Sequence, residues 1–198
     1  MIERHPLKPF LPSNSRLLML GSFPPSKKRW CMDFFYPNFN NDMWRIFGLI
    51  FFDNKDHFID PQAHRFRRDA IISFLNTKGI ALYDTACAVI RTKNTASDKD
   101  LQIVEATDID TLLRQLPLCT AIAVTGQKAA DILSANFGIA QPPVGGSVSF
   151  KYQNKTLLFF RMPSSSRAYP LALQKKAEKY AQMFTQLGIL HDILKNIE

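Results

Sequence analysis

One serine-rich segment contains the side chains best suited to hold a phosphate group. Ser164, Ser165, Ser166 and Arg167 follow a predicted buried strand and precede the last predicted helix. Hydroxyls, backbone amides and a guanidinium near a helix N-terminus are groups that bind phosphate oxygens. The same residues are also consistent with an ordinary polar loop, and their types alone leave both interpretations open.

A second group of candidate residues follows the first predicted strand. Gly21 lets the backbone turn and approach a ligand closely, and Ser22 places a hydroxyl beside it. Aromatic residues and asparagines then follow up to Asn41, so that this segment could stack on a planar ring and hydrogen-bond its edge. An aromatic loop that covers the core, with Asn41 or Asp42 capping the next helix, is the alternative that residue types alone favour.

A third candidate is Asp84, which lies at the end of the second predicted strand. Its carboxylate could accept a hydrogen bond from a ligand N–H, or it could only cap the next turn. The turn at Thr125 and Gly126, after the third predicted strand, is typical of any strand-to-helix connection.

Short apolar segments alternate with helical ones, and this pattern predicts where the candidate residues meet. Buried strands are predicted over residues 16–20, 79–83, 120–124 and 156–161. Helices are predicted over residues 41–52, 65–76, 108–115, 127–136 and 171–187. The alternation predicts an α/β protein, a three-layer α/β/α sandwich around a mainly parallel four-stranded sheet. Ligands of such sheets bind beyond the carboxyl ends of the strands, where the candidate loops would converge.

Composition narrows the class of protein. The chain has 198 residues, 46% of them hydrophobic and 21% charged, which predicts one globular domain over residues 1–198. The apolar runs are too short to cross a bilayer, so we expect no membrane partner. The N-terminus lacks the apolar core of a secretory signal, so we expect a cytoplasmic location, which could be nuclear in a eukaryote or nucleoid-associated in a prokaryote. Cys31, Cys87 and Cys119 are widely spaced, which predicts neither a metal site nor a disulfide framework.

The charge balance favours a polyanionic partner. The formal net charge is +8, and lysine and arginine displace the counterions that condense on nucleic-acid phosphates. The chain also has 16 phenylalanines, most of them expected in the core and some available for stacking. Lys175, Lys176 and Lys179 follow the serine segment on the last predicted helix, where a solvated face is the favoured interpretation and a wider phosphate-binding surface the alternative.

Taken in order, these motifs resemble the uracil-DNA-glycosylase superfamily, and most of all its hypoxanthine-DNA-glycosylase branch. The resemblance covers roughly residues 16–185, with each motif at a strand end. The matching segments are Gly21-Ser22-Phe23-Pro24, Phe35-Tyr36, Asn41-Asp42-Met43-Trp44, the strand that ends at Asp84, Val124-Thr125-Gly126-Gln127-Lys128-Ala129, and Met162-Pro163-Ser164-Ser165-Ser166.

The chain departs from that branch at two positions, and from other branches of the superfamily at a third. Phe39 stands where the branch usually has proline, and Thr125 where it usually has asparagine. Met162 occupies the position of a histidine in other branches, so a histidine electrophile is not available in that loop.

The resemblance implies a monofunctional DNA glycosylase that removes a deaminated base (uracil, hypoxanthine or xanthine) during base-excision repair, as a monomer and without cofactor or metal. It implies that Asn41 orients the attacking water and that Ser22 belongs to the same catalytic group. The implied base-binding residues are Gly21, Phe23, Phe35, Tyr36 and Asp84. The implied DNA-binding residues are Ser164, Ser165, Ser166, Arg167 and Tyr169.

Two other functions remain open at this stage. The first is a non-catalytic nucleic-acid-binding protein on the same fold. The second is a hydrolase that acts on a free nucleoside or another small molecule. Loss of activity at high salt would favour DNA over the small molecule, because phosphate contacts make binding salt-dependent.

Overall fold

Apolar strands and amphipathic helices alternate along the chain. The computed structural model describes residues 1–92 and 100–190. Within them the strands are β1 (Ile2–Arg4), β2 (Leu17–Gly21), β3 (Ile59–Asp60), β4 (Arg65–Phe66), β5 (Ile80–Asp84), β6 (Ala86–Arg91), β7 (Leu101–Ala106), β8 (Ala121–Thr125), β9 (Gly146–Tyr152) and β10 (Lys155–Met162). The helices are α1 (Met43–Phe52), α2 (Arg68–Lys78), α3 (Ile109–Arg114), α4 (Gln127–Phe137) and α5 (Leu173–Gln186).

The main sheet is mixed and has five strands, in the order β5-β2-β8-β10-β9. The four strands predicted from sequence are neighbours and run parallel, whereas β9 is antiparallel to β10 at the edge. Prediction of a four-stranded sheet was therefore wrong in strand number. The edge strand β9 is mostly half-buried or exposed, so it lacks the continuous apolar run of β2, β5 and β8, which are buried throughout.

The crossover connections place helices on both faces of the sheet. The chain passes from β2 to its neighbour β5 through α1 and α2, and from β8 to its other neighbour β10 through α4. Because such crossovers are right-handed and these run in opposite directions, α1 and α2 cover one face and α4 covers the other. Parallel strands also carry their C-terminal loops to a common edge, which is where the functional residues are expected.

Helices α1 and α5 pack together through aromatic side chains. The ring of Phe47 lies 5.3 Å from that of Phe184, and the ring of Phe51 lies 5.1 Å from it. The Trp44 indole N–H donates to the Phe35 carbonyl at 3.1 Å, which ties α1 to the loop before it. This packing fixes the start of α1. No helix in residues 1–92 and 100–190 is long and apolar enough to span a membrane.

A small antiparallel sheet, β1-β6-β7, was not predicted. It packs through its own apolar cluster, in which Phe23 contacts Ala86, Val89 and Leu101. Its consequence for the site is that β1 carries the N-terminal residue His5 to the end of β5. The predicted helix over 65–76 also begins later, at Arg68, because Arg65 and Phe66 pair with β3 as strand β4.

Candidate functional site

A cleft of about 1020 Å³ opens at the carboxyl edge of the parallel strands. The loops that follow β2, β8 and β10 line it together with Asp84 at the end of β5, as expected for this class of sheet. The predicted site residues line it as well, except for Arg167. Among the described residues, no three His, Cys, Asp or Glu side chains are grouped so that they could hold a metal ion.

Asn41 is held rigidly at the beginning of α1. Its side-chain oxygen accepts the Met43 backbone N–H at 2.9 Å, so Asn41 rather than the N-cap residue Asp42 satisfies this helix terminus. The Arg45 guanidinium donates to the Asn41 carbonyl at 3.0 Å. Burial lowers the pKa of Arg45, and the nearby Arg167 charge lowers it further. An isolated β-bridge joins Asn41 to Ser166, which places the asparagine beside the serine segment.

A buried ion pair underlies this contact. The Lys176 ammonium, fully buried, lies 3.0 Å from Asp42 Oδ2 and donates to the Ser166 carbonyl at 2.7 Å. The Asp42 backbone N–H donates to the Ser165 carbonyl at 2.8 Å. Arg167, whose side chain is 53% exposed, reaches the other Asp42 carboxylate oxygen at 3.4 Å. The start of α1, the serine segment and α5 are therefore tied together at one carboxylate.

Lys176 was expected on a solvated helix face, and that interpretation was wrong. Lys176, Tyr180 and Phe184 recur at intervals of four residues, and all three are fully buried. The sequence contained this signal, because the lysine falls on the apolar stripe of an amphipathic helix. A charged residue at such a position requires a buried partner, which here is Asp42.

The serine segment is folded by its own side chains. Ser164 Oγ accepts the Ser166 N–H at 3.2 Å, and Ser166 Oγ accepts the Ala168 N–H at 3.3 Å. Each of these hydroxyls keeps its own proton for donation to a ligand oxygen. Ser165 is buried, whereas Ser166 is exposed at the mouth of the cleft. Beneath the segment, the Tyr180 hydroxyl donates to the Pro163 carbonyl at 2.9 Å, and burial raises the pKa of this tyrosine well above its usual value.

On the opposite side of the cleft, Asp84 lies against Gly21. A Cβ atom at Gly21 would stand 2.3 Å from Asp84 Oδ1, so only glycine permits this close approach. The other carboxylate oxygen, Oδ2, lies 2.8 Å from His5 Nε2. Sequence reasoning missed His5, because no pattern near residue 5 indicates that β1 would bring it to the end of β5.

The candidate aromatic residues differ in accessibility. Phe35 is 3% exposed and belongs to the main core, and Phe23 is 8% exposed with its ring edge-on to His5 at 5.3 Å. Tyr36 is half-buried, and its hydroxyl lies 3.3 Å from Thr125 Oγ1 across the cleft. Tyr36 also has a φ of 50°, which is uncommon for a residue with a side chain. Of the three rings, Tyr36 is the best placed to stack on a ligand.

Comparisons with known proteins identify the fold. No protein-family model matches the sequence, and no curated protein sequence matches it. The solution NMR structure of a "putative Uracil DNA glycosylase" from Methanosarcina acetivorans superposes with a TM-score of 0.62 at 21% sequence identity. The match covers 95% of this chain and 99% of that chain, so the likeness extends over the whole architecture. The protein therefore has a uracil-DNA-glycosylase-like fold.

Proposed function

We propose that the protein is a monofunctional DNA glycosylase that hydrolyses the N-glycosidic bond of a deaminated base (uracil, hypoxanthine or xanthine) in DNA. The observation that carries this proposal is the β-bridge between Asn41 and Ser166 within the cleft. It joins a side chain that can orient water to a segment that can bind phosphate. The fold shared with the Methanosarcina acetivorans structure supports the same chemistry.

In this proposal the nucleotide leaves the duplex before the bond is broken. A glycosidic bond inside the base stack is out of reach, so the base must turn into the cleft, and a deaminated or mispaired base leaves its stack at lower cost. Tyr36 then stacks on the base, while Asp84 accepts a hydrogen bond from its edge. Backbone donors around Gly21 and Ser22 stabilise the negative charge of the departing base.

The chemical step replaces the bond from C1′ to the base with a bond from C1′ to a water oxygen. The electrons of the broken bond leave with the base, the sugar becomes positively charged in the transition state, and the water proton passes to the base or to solvent. Asparagine is not a strong base, so Asn41 acts by orienting the water with its side-chain oxygen, which has a second lone pair beyond the one that Met43 uses.

A strand-nicking assay tests the proposal. Labelled duplexes that contain one uracil, hypoxanthine or xanthine are incubated with the protein and then treated with alkali, which cleaves abasic sites. We expect a nick at one or more of these bases and none in an unmodified duplex. Intact strands throughout, beside an active control enzyme, would refute a glycosylase acting on these bases; DNA binding would then favour a non-catalytic role.

Gly21→Ala is expected to lower the excision rate on the order of 100-fold. The added methyl group would displace the Asp84 carboxylate, and misplacement of a recognition group by about 1 Å has effects of this size. Single-turnover kinetics on the preferred duplex, with thermal melting as the check on folding, measure it. A folded variant that excises the base as fast as the unaltered protein would show that excision does not depend on the position of Asp84 above Gly21.

Arg167→Gln is expected to weaken DNA binding and to reduce the salt dependence of that binding. One lost phosphate contact makes the negative slope of log binding constant against log salt concentration shallower by about 0.9. Fluorescence anisotropy across a salt series measures the slope. Arg114→Gln, which removes an equally exposed arginine from α3 outside the cleft, is the matched control and should leave the slope unchanged. Equal slopes for both variants would remove Arg167 from the phosphate-binding surface.

A further inference from the structure

We propose that His5 sets the base specificity of the cleft by holding Asp84 as a hydrogen-bond acceptor, so that the cleft takes a base with a ring N–H, as deaminated bases have. This inference rests on the proposed function and deepens it. His5 itself does not line the cleft, so it acts as a positioning residue through Asp84.

His5 is enclosed on several sides. Its side chain is 2% exposed, and its ring lies 4.6 Å from that of Tyr83, 5.3 Å from that of Phe23 and 6.2 Å from that of Phe35. A polar ring buried among aromatic rings needs partners for both of its nitrogens. Those partners are the Leu7 backbone at Nδ1 and the Asp84 carboxylate at Nε2.

The neighbours of the imidazole determine which nitrogen carries the proton. Nδ1 lies 2.9 Å from the Leu7 carbonyl oxygen and 3.1 Å from the Leu7 backbone nitrogen, so Leu7 can pair with this nitrogen whether or not it carries a hydrogen. An ionised carboxylate only accepts hydrogen bonds, so Nε2, which faces Asp84, carries a hydrogen. Nε2–H donates to Asp84 Oδ2 at 2.8 Å, which occupies that oxygen and fixes the plane of the carboxylate.

The other carboxylate oxygen then faces the ligand as an acceptor. Asp84 lines the cleft, and its Oδ1 is the atom closest to the Cβ position above Gly21. A base that presents a ring N–H there forms a charge-assisted hydrogen bond. Uracil, hypoxanthine and xanthine all present a ring N–H beside a carbonyl group, as guanine and thymine also do, so the acceptor separates uracil from cytosine and hypoxanthine from adenine. Cytosine N3 and adenine N1 instead present a lone pair, which the carboxylate repels.

A double-mutant cycle of Asp84→Asn and His5→Phe tests this role. In Asp84→Asn alone, we expect the His5 Nε2–H to pair with the new amide oxygen as it pairs with the carboxylate, which turns the amide NH₂ toward the base. The acceptor becomes a donor, and we expect preferential binding of the lesion to fall roughly 10- to 100-fold. In the double variant the amide can rotate, so its oxygen can face the base, and we expect several-fold recovery relative to Asp84→Asn alone.

The readout is affinity as well as turnover. Duplexes with 2′-fluoro-deoxyuridine or 2′-fluoro-deoxyinosine resist hydrolysis, so the protein can be bound to them at equilibrium. The ratio of its affinity for such a duplex to its affinity for the unmodified duplex measures the preference for the lesion. Excision rates are measured in parallel on the cleavable duplexes. Thermal melting establishes that each variant is folded, and His5→Leu replaces His5→Phe in the cycle if phenylalanine does not fit among the three rings.

The two proposals fail in different ways. If the unaltered protein prefers a fluorinated lesion duplex but nicks none of its substrates, the glycosylase proposal fails and the cycle still measures the role of His5. If the double variant recovers no preference over Asp84→Asn, or if Asp84→Asn keeps the original preference, His5 does not hold the acceptor. Lack of any preference in the unaltered protein would overturn this inference as well, and the nicking assay then decides the proposed function separately.

Discussion

Asn41→Ala is expected to reduce the rate of base excision on the order of 100-fold or more while DNA binding changes little. The side-chain oxygen of Asn41 is the group proposed to orient the attacking water, and the serine segment and Arg167 that would bind phosphates remain in place. Loss of the hydrogen bond to Met43 costs about 1 kcal/mol, as for other helix caps, which is too small to unfold the domain.

Single-turnover kinetics and anisotropy on the same duplex separate the two effects. Asn76→Ala, an exposed asparagine on α2 outside the cleft, is the matched control and should retain full activity. Asn41→Asp keeps an oxygen for the Met43 N–H and for water, so it should retain more activity than Asn41→Ala. Full activity of Asn41→Ala would remove Asn41 from the mechanism, and parallel loss of binding and turnover would assign it to DNA binding instead.

Lys176→Met is expected to lower the free energy of unfolding by about 3–5 kcal/mol. The substitution leaves Asp42, whose side chain is 8% exposed, without its buried cation, and it leaves the Ser166 carbonyl without the ammonium that lies 2.7 Å away. Arg167 cannot fully substitute, because its contact with Asp42 is long and half-exposed. Urea denaturation of the folded protein measures the change.

Two further variants test whether the loss of stability comes from the buried ion pair between Lys176 and Asp42. Lys175→Met removes the preceding lysine, which is 64% exposed and pairs with Glu178 at the surface, and should change stability by less than about 0.5 kcal/mol. Asp42→Asn combined with Lys176→Met removes both charges and should be more stable than Lys176→Met alone. If Lys175→Met and Lys176→Met are equally stable, the ion pair contributes nothing to the fold.

The parallel part of the sheet could be predicted from sequence because it is buried on both faces. Strands β2, β5 and β8 are continuous apolar runs and were located to within one residue. The helix predicted to end at residue 76 continues to Lys78, where Gly79 with a φ of 63° follows it. Strands β1, β7 and β9 were missed because most of their residues are half-buried or exposed and form no such run. Strand β6 was missed although residues 86–90 are apolar, and β1 depends on pairing with β6 far along the chain.

The site shows the same division between local and long-range information. The rule that ligands bind at the carboxyl ends of parallel strands correctly brought Gly21, Asp84 and the serine segment to one cleft. His5 and Lys176 were missed for different reasons. The position of His5 depends on a strand pairing that no local pattern reveals, whereas Lys176 stood on an apolar stripe that the sequence did display.

The β-bridge between Asn41 and Ser166 has a consequence for engineering. Together with the buried pair below it, the bridge makes the water-orienting and phosphate-binding segments one rigid unit, while Gly21 and Asp84, with His5 behind Asp84, lie on the opposite side of the cleft. Libraries that seek a new base preference should therefore randomise Asp84 and His5 and leave Gly21 and the rigid unit unaltered. Variants drawn from such libraries can change which base is accepted without rebuilding the groups that break the bond.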